Sequence, residues 1–209
     1  MKQDLEGVLQ QSAEFHAEID ALWESFTPAS SQRGYVVAGF CSIVREHVLS
    51  QQHLLAIGFD VTAMTLVRPS FESLVRAIWC LQGASDEWIR KFLNPPLPDA
   101  DERDETIKGP PVDSMLDTIK IDHPQWVHQS LDALKQKTWK PMHSYVHGGI
   151  RPVVQALAGC PEPNKIAVVL NGNGFVLFAS NVLQMACNGP QGKIASIQQR
   201  YSQCLTPKP

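Results

Sequence analysis

Apolar residues recur every three or four positions along most of the chain, while segments that alternate apolar and polar residues are nearly absent. A period near 3.6 is that of an α-helix with one buried face, whereas alternation is typical of a half-buried strand. The first such segment has its apolar positions at Leu5, Val8, Leu9, Phe15, Ile19, Leu22 and Trp23. The pattern predicts an all-α fold.

Capping and helix-breaking residues set the bounds of the predicted helices. The first covers about 3–25 and ends at Thr27-Pro28, and the second covers 32–57 and ends at Gly58. Asp60 is a suitable N-cap for a third helix that runs to Gln82. Further helices are predicted at 85–93, 114–121, 124–137, 141–158, 164–187 and 191–203.

Residues 93–113, LNPPLPDADERDETIKGPPVD, contain five prolines and a cluster of acids. Prolines and unpaired charges cannot join a packed helix, so this segment is expected to be a long exposed loop. The expected architecture is a single-domain helical bundle, residues 1–209, with this Pro-rich acidic loop.

Asn171-Gly-Asn-Gly174 interrupts the helix predicted over 164–187. Asn-Gly between apolar segments is also a hairpin signal, because both residues tolerate positive φ. KIAVVL and FVLFA are therefore two strands in the alternative interpretation, and the pattern leaves helix and hairpin open.

The composition, with 44% hydrophobic and 19% charged residues in 209, is that of a globular domain large enough to bury a core. No apolar run approaches the ~18 residues of a membrane span, and the acidic, amphipathic start does not resemble a targeting peptide. We therefore expect a cytoplasmic protein with no membrane partner.

A net charge of -3 provides no general basic field for nucleic acid, so any phosphate recognition must be local. Five widely spaced cysteines favour neither disulfides nor a zinc site.

The segment RPSFESLVRAIW places Arg68, Glu72 and Arg76 at intervals of four on the third predicted helix. The rest of its circumference is apolar or small, so the helix is expected to be central and this charged row partly desolvated. The row is either a structural i,i+4 ladder or, because it carries a surplus positive charge, a site for phosphate or carboxylate. Pro69 lacks an N–H and predicts a kink beside Arg68.

The segment WKPMHSYVHGGIR contains a second i,i+4 row, His143, His147 and Arg151. Imidazole beside arginine suits acid–base chemistry on an anion, and core hydrogen bonding is the structural alternative. Two histidines at this spacing are compatible with zinc, but no third ligand is evident, so we expect no metal and no cofactor. Gly148 and Gly149 each cost about 1 kcal/mol in a helix interior, which predicts close approach of another backbone there.

We hypothesise that the third helix packs on the 141–158 helix through Gly148 and Gly149, so that the two polar rows form one pocket. The candidate catalytic residues, if the protein is an enzyme, are His147 and His143. The candidate ligand-binding residues are Arg68, Glu72, Arg76, Ser144, Tyr145 and Arg151.

The remaining histidines are interpreted more simply. His47 falls among apolar residues and is expected to pack in the core, whereas His123 and His128 are expected to be peripheral. Glu46 and His53 lie two helical turns apart, within reach of a site between helices.

TLVRPSFESLVRAIW and WKPMHSYVHGGIR resemble segments of a family of uncharacterised bacterial proteins of about this length. The resemblance spans roughly residues 35–185 and implies an all-helical fold, with no established activity. More distantly, the arrangement resembles the HEPN helical superfamily, whose nucleolytic members cleave RNA without metal. That motif has an arginine four to six residues before a histidine. No arginine precedes His143 or His147 at that spacing, so Arg68 or Arg76 would have to supply the charge in space.

Two classes of function follow from these observations. One is a helical binding or regulatory protein, including a homodimer, whose polar site takes a small anion. The alternative is a HEPN-like, metal-independent ribonuclease of a defence or toxin system, with RNA phosphate as the group recognised. Whether the protein is an enzyme stays open at this point.

Overall fold

The computed structural model describes residues 4–27, 29–93, 109–187, 189–190 and 192–206. Across these ranges the chain forms ten α-helices, a short 3-10 helix and no strand, which confirms the predicted all-α class. The helices are α1 Leu5–Glu24, α2 Gln32–Ala56, α3 Asp60–Thr65, α4 Val67–Gln82, α5 Asp86–Leu93, α6 Val112–Asp122, α7 Gln125–Val146, α8 Ile150–Ala158, α9 Glu162–Cys187 and α10 Lys193–Arg200, followed by the 3-10 helix Ser202–Cys204. Most of the predicted Pro-rich loop, residues 94–108, lies outside the described residues.

Helix α4 is the central element of the bundle, as its apolar circumference predicts. It packs against α2, α6, α7 and α9, and α2 also packs along α9. Ten of its residues are buried: Val67, Ser70, Phe71, Ser73, Leu74, Val75, Ala77, Ile78, Trp79 and Cys80. Because its neighbours cover several sides of α4, only a narrow edge is left for charged side chains.

The helix predicted from Asp60 to Gln82 is in fact two helices, α3 and α4, that meet at Leu66. Pro69 has no N–H to donate to the Thr65 carbonyl, so the regular hydrogen-bond ladder is interrupted at this point. The Leu66 N–H turns back instead to the Ala63 carbonyl at 3.2 Å. The break starts α4 just before Arg68.

The boundary expected between residues 137 and 141 is also wrong, because α7 continues through Pro141 to Val146. The chain breaks later, at Gly148, whose φ of +66° lies in the left-handed region that favours glycine. A Cβ built at Gly148 would meet no atom within 4 Å, so no other backbone packs against this glycine, and the predicted packing through it is wrong. At Gly149 the nearest atoms belong to Ser144, in the preceding turn.

The segment Asn171–Gly174 is helical and lies inside α9, so the hairpin alternative is wrong. Gly172 faces α2, where an added Cβ would come within 3.0 Å of Val48 Cγ1 and 3.3 Å of Gln51 Oε1. The glycine therefore allows close packing of two long helices, rather than a turn.

Among the described helices, α9 is long and apolar enough to cross a membrane, with a mean hydropathy of 1.7 over its most apolar window. This differs from the expectation that no segment would approach that length. Within that window 56% is buried in the bundle, as is usual for the core helix of a globular protein.

Candidate functional site

Arg68, in the first turn of α4, is held by two contacts of different kinds. Its Nε donates to Glu72 Oε1 at 2.7 Å, one helical turn further along. Its guanidinium carbon also lies 4.6 Å from the ring centre of Trp139 on α7, which is a cation–π contact. Phe71 packs edge-on against the same indole, with ring centres 6.2 Å apart. The Arg68 side chain is only 21% exposed, so its position is well defined.

His143 of α7 and His147, which directly follows the end of α7, complete the cluster around this arginine. Arg68 Nη1 lies 3.0 Å from His143 Nδ1 and 3.4 Å from His147 Nε2. The two imidazole rings have centres 4.2 Å apart, and both residues are exposed. Arg68, Glu72, Trp139, His143 and His147 are called the Arg68 cluster below. Four of the predicted site residues, Arg68, Glu72, His143 and His147, thus come together.

Arginine has donors and no acceptor, so an imidazole nitrogen that it contacts must act as the acceptor. In the neutral rings, the proton therefore lies on His143 Nε2 and on His147 Nδ1. Each histidine then offers one N–H that is not engaged by Arg68. The Arg68 cluster consequently carries N–H donors beyond those of the arginine, which an anion-binding site requires.

Lys135 brings a second cation to Trp139, with Nζ 5.4 Å from the ring centre. Its ammonium group is paired with Asp113 of α6. The Arg68–Glu72 and Lys135–Asp113 pairs are each neutral overall.

Arg76 follows Arg68 by eight residues, which is about 12 Å along the helix axis. Its Nη1 lies 3.4 Å from the position of a Cβ on Gly109, beside Trp88 and Met115. The structure therefore places this guanidinium among residues of α5 and α6, away from the position expected beside the histidines.

Ser144, Tyr145 and Arg151 shape the junction between α7 and α8. The Arg151 N–H donates to Ser144 Oγ at 3.3 Å, and the Gly149 N–H donates to the Ser144 carbonyl at 2.7 Å. Burial raises the pKa of Tyr145, whose hydroxyl also interacts with the Gln155 side chain. These contacts give the three residues a structural position at the edge of the Arg68 cluster, with the Arg151 side chain exposed.

The sequence analysis missed a buried polar network between α1, α2 and α9. Asn173 donates to Ser12 Oγ at 2.7 Å and to the Cys204 carbonyl at 2.8 Å, and it accepts from Gln52 Nε2 at 2.7 Å. The same Gln52 nitrogen lies 3.1 Å from His16 Nε2. An asparagine within an apolar helix is the signal that could have revealed it, but the Asn-Gly pattern left helix and hairpin open.

Burial lowers the pKa of His16 to about 4, since imidazolium is poorly solvated in the core. Its Nδ1 is buried and has no hydrogen-bond partner among the residues that the structure describes. His16 is therefore a neutral structural histidine.

The other histidines differ in part from expectation. His123, expected at the periphery, is half-buried, and its Nε2 lies 3.1 Å from the Ile78 carbonyl of α4. His47 is half-buried rather than fully packed, and burial lowers its pKa. Glu46 and His53 are both exposed on α2. No group of three or more His, Cys, Asp or Glu side chains converges within the described ranges.

The fold and the Arg68 cluster define an all-α bundle with an arginine–histidine site between its central helix and α7. Residues 41–207 match the sequence profile described as a family of unknown function, DUF6988, and the chain belongs to this family. The matched region contains every residue of the Arg68 cluster. Comparison with curated proteins and with solved structures finds no match to this chain.

Proposed function

We propose that the protein is a helical binding or regulatory protein whose Arg68 cluster binds a small anion, a phosphate- or carboxylate-bearing molecule. The observation that carries this proposal is the position of Arg68 Nη1 at 3.0 Å from His143 Nδ1 and 3.4 Å from His147 Nε2. Both histidines are exposed, so a ligand from solvent reaches their remaining N–H groups.

Glu72 compensates Arg68 in the free protein, so a bound anion adds an uncompensated negative charge beside two imidazoles. The N–H groups of those rings that Arg68 does not engage are the donors available to it.

Thermal shift measurements with inorganic phosphate, acetate and a panel of phosphate-bearing metabolites test the proposal. We expect a stabilising shift that is lost in Arg68→Gln. Arg200→Gln is the matched control, because Arg200 of α10 pairs with Glu18 of α1, in another part of the fold. A shift that survives in Arg68→Gln contradicts the proposal. So does the absence of any shift, and the Arg68 cluster is then a structural ladder.

A second candidate function is metal-independent RNA cleavage, as in the HEPN superfamily. It is favoured by the same short contact, because an arginine and an exposed imidazole together can hold a phosphate and exchange protons with its neighbouring oxygens. In this mechanism Arg68 holds the scissile phosphate, and His143 and His147 act as acid and base.

Cleavage of single-stranded RNA in the presence of EDTA distinguishes the two functions. The ribonuclease proposal requires cleavage that disappears in His147→Ala and His143→Ala. His128→Ala is the control, since His128 lies on the same helix α7 and outside the Arg68 cluster. Anion binding without cleavage of any tested RNA supports the binding protein and contradicts the ribonuclease.

A further inference from the structure

Helix α8 exposes its entire apolar face. Ile150 is 72% exposed, Leu157 85%, and Val153 and Val154 50% each. None of the nine residues of α8 is buried. These four side chains are called the α8 face below.

The α8 face points away from the body of the protein. At about 100° per residue the four side chains fall within one arc, and the half-buried Pro152 and Gln155 lie on the opposite side. That opposite side packs against α3 and α7. An amphipathic helix normally buries its apolar side, and so short a helix is marginal in water without such burial. The orientation of α8 therefore indicates a partner on its outer side.

We propose that the α8 face is the interface of a homodimer, in which α8 packs antiparallel against α8 of a second copy across a two-fold axis. A stripe of residues at i, i+3, i+4 and i+7 is complementary to itself under this rotation, as an isologous interface requires. The stripe carries no charge, so two copies meet without desolvating an ion.

The area available matches the needs of a dimer. The α8 face exposes ~400 Å² of apolar side chain per copy, within the range of patches that mark interaction sites. Val146, at the end of α7, is 41% exposed, and the turn before α3 exposes Ile57 by 55% and Phe59 by 59%. Since α7 and α3 both pack against α8, an interface that covers the α8 face and these flanking residues would bury ~700 Å² per copy, or ~1,400 Å² for two, which is a standard interface size.

A lipid surface is a less suitable partner for this helix. Helices that lie on membranes are rich in lysine and arginine on their polar side. The only basic residue of α8 is Arg151, and α8 has no lysine.

Analytical ultracentrifugation of the full chain, from low micromolar concentration upward, tests the proposal. We expect a concentration-dependent dimer that Leu157→Glu dissociates by at least tenfold in Kd. Ile121→Glu is the matched control, because Ile121 is 83% exposed near the end of α6 and should not affect the dimer. Both substitutions replace solvent-exposed side chains. Circular dichroism should therefore show that each variant monomer has the same helix content and Tm as the wild-type monomer.

A second measurement tests the same interface without introducing a charged side chain. Val154 lies near the middle of the α8 face, so Val154→Cys should be linked into a covalent dimer by a short bismaleimide, whereas Ile121→Cys should not. The five native cysteines are buried and should not react. A monomer at all concentrations overturns the proposal. So does a dimer that Leu157→Glu leaves intact, or a monomer that sediments with anionic phosphatidylglycerol vesicles through the α8 face.

Discussion

Arg68 of α4 donates from Nη1 to Nδ1 of His143 on α7 across 3.0 Å, although 75 residues separate the two in sequence. The contact requires a neutral imidazole, because a protonated ring has no acceptor to offer. This contact joins α7 to the central helix through the edge of the bundle where both side chains meet.

The tautomers of the two histidines provide the most direct test of this geometry. At pH 8, long-range 1H–15N NMR spectra should show His143 protonated at Nε2 and His147 protonated at Nδ1, since Arg68 occupies the other nitrogen of each ring. His53 is exposed on α2 and should show the ordinary Nε2–H form. Finding His147 in the Nε2–H form would show that its contact with Arg68 is absent in solution.

Replacing Glu72 by glutamine should separate the stabilising role of the ladder from anion binding. The partly exposed Arg68–Glu72 pair is worth up to about 1 kcal/mol, so Glu72→Gln should lower stability by no more than that. Removing the competing carboxylate should also tighten phosphate binding several-fold, measured by isothermal titration calorimetry. Glu87→Gln removes the same i,i+4 arrangement at the solvent-exposed Glu87–Lys91 pair and should change neither quantity. Unchanged phosphate affinity in Glu72→Gln would contradict the anion site.

Asn173 should be among the positions most sensitive to truncation. Asn173→Ala removes three hydrogen bonds, so Ser12, Gln52 and the Cys204 carbonyl each lose one buried partner. The expected loss is about 2–4 kcal/mol in the free energy of unfolding, measured by urea denaturation. Asn181→Ala, an exposed position on the same helix, should cost less than about 0.5 kcal/mol. Equal effects at both positions would mean that the buried network does not stabilise the fold.

His16 should make stability depend on pH in a defined window. The pKa of this buried histidine is about 4, against 6.5 for an unperturbed one. Between these values the unfolded chain binds more protons than the folded chain, so stability is full above pH 6.5 and is lost as the pH falls through 4. The loss from this group amounts to about 3 kcal/mol.

Urea denaturation of wild type and His16→Gln across pH 7 to 4 measures that contribution. His47 and His123, whose pKa values burial also lowers, are present in both proteins, so the difference in slope belongs to His16. Parallel curves for the two proteins would show that His16 titrates normally in the folded chain.

Replacing glycine by alanine should change the stability of the protein in opposite directions at Gly148 and Gly39. Gly148→Ala places a side chain at φ +66° and should destabilise the protein by about 1 kcal/mol. Gly39→Ala lies inside α2, where an added Cβ meets nothing within 4 Å, and should stabilise by about 0.5–1 kcal/mol. Thermal unfolding of both variants checks the pair, and a neutral Gly148→Ala would mean that the end of α7 is not held in this conformation.

Local helix signals were predictive where the chain offers no competing structure. Gly58, with φ +83°, follows the end of α2 at Ala56, because glycine readily adopts the left-handed backbone that ends a helix. The row of Arg68, Glu72 and Arg76 was visible because four-residue spacing places side chains on one face of a helix. The second row was wrong as a single helical row, because α7 ends at Val146 and Arg151 lies in α8.

Local signals were misleading where tertiary packing outweighs them. Pro141 was interpreted as a helix start, but it lies inside α7, and Asn171–Gly174 was compatible with a hairpin but is part of α9. Gly172 is accommodated because α2 packs closely on it, and Asn173 because three buried partners satisfy its amide. Neither compensation can be seen from neighbouring residues alone.

The sequence by itself determined the all-α class, the central place of α4 and the polar row on that helix, because these depend on the period of side chains around a helix. Only the tertiary structure decided that Arg68 and Glu72 meet His143 and His147 while Arg76 lies beside Gly109. It also decided that the apolar side of α8 faces outward. Contacts between helices depend on how their axes cross and where they break, and these properties arise from packing among residues that are distant in the chain.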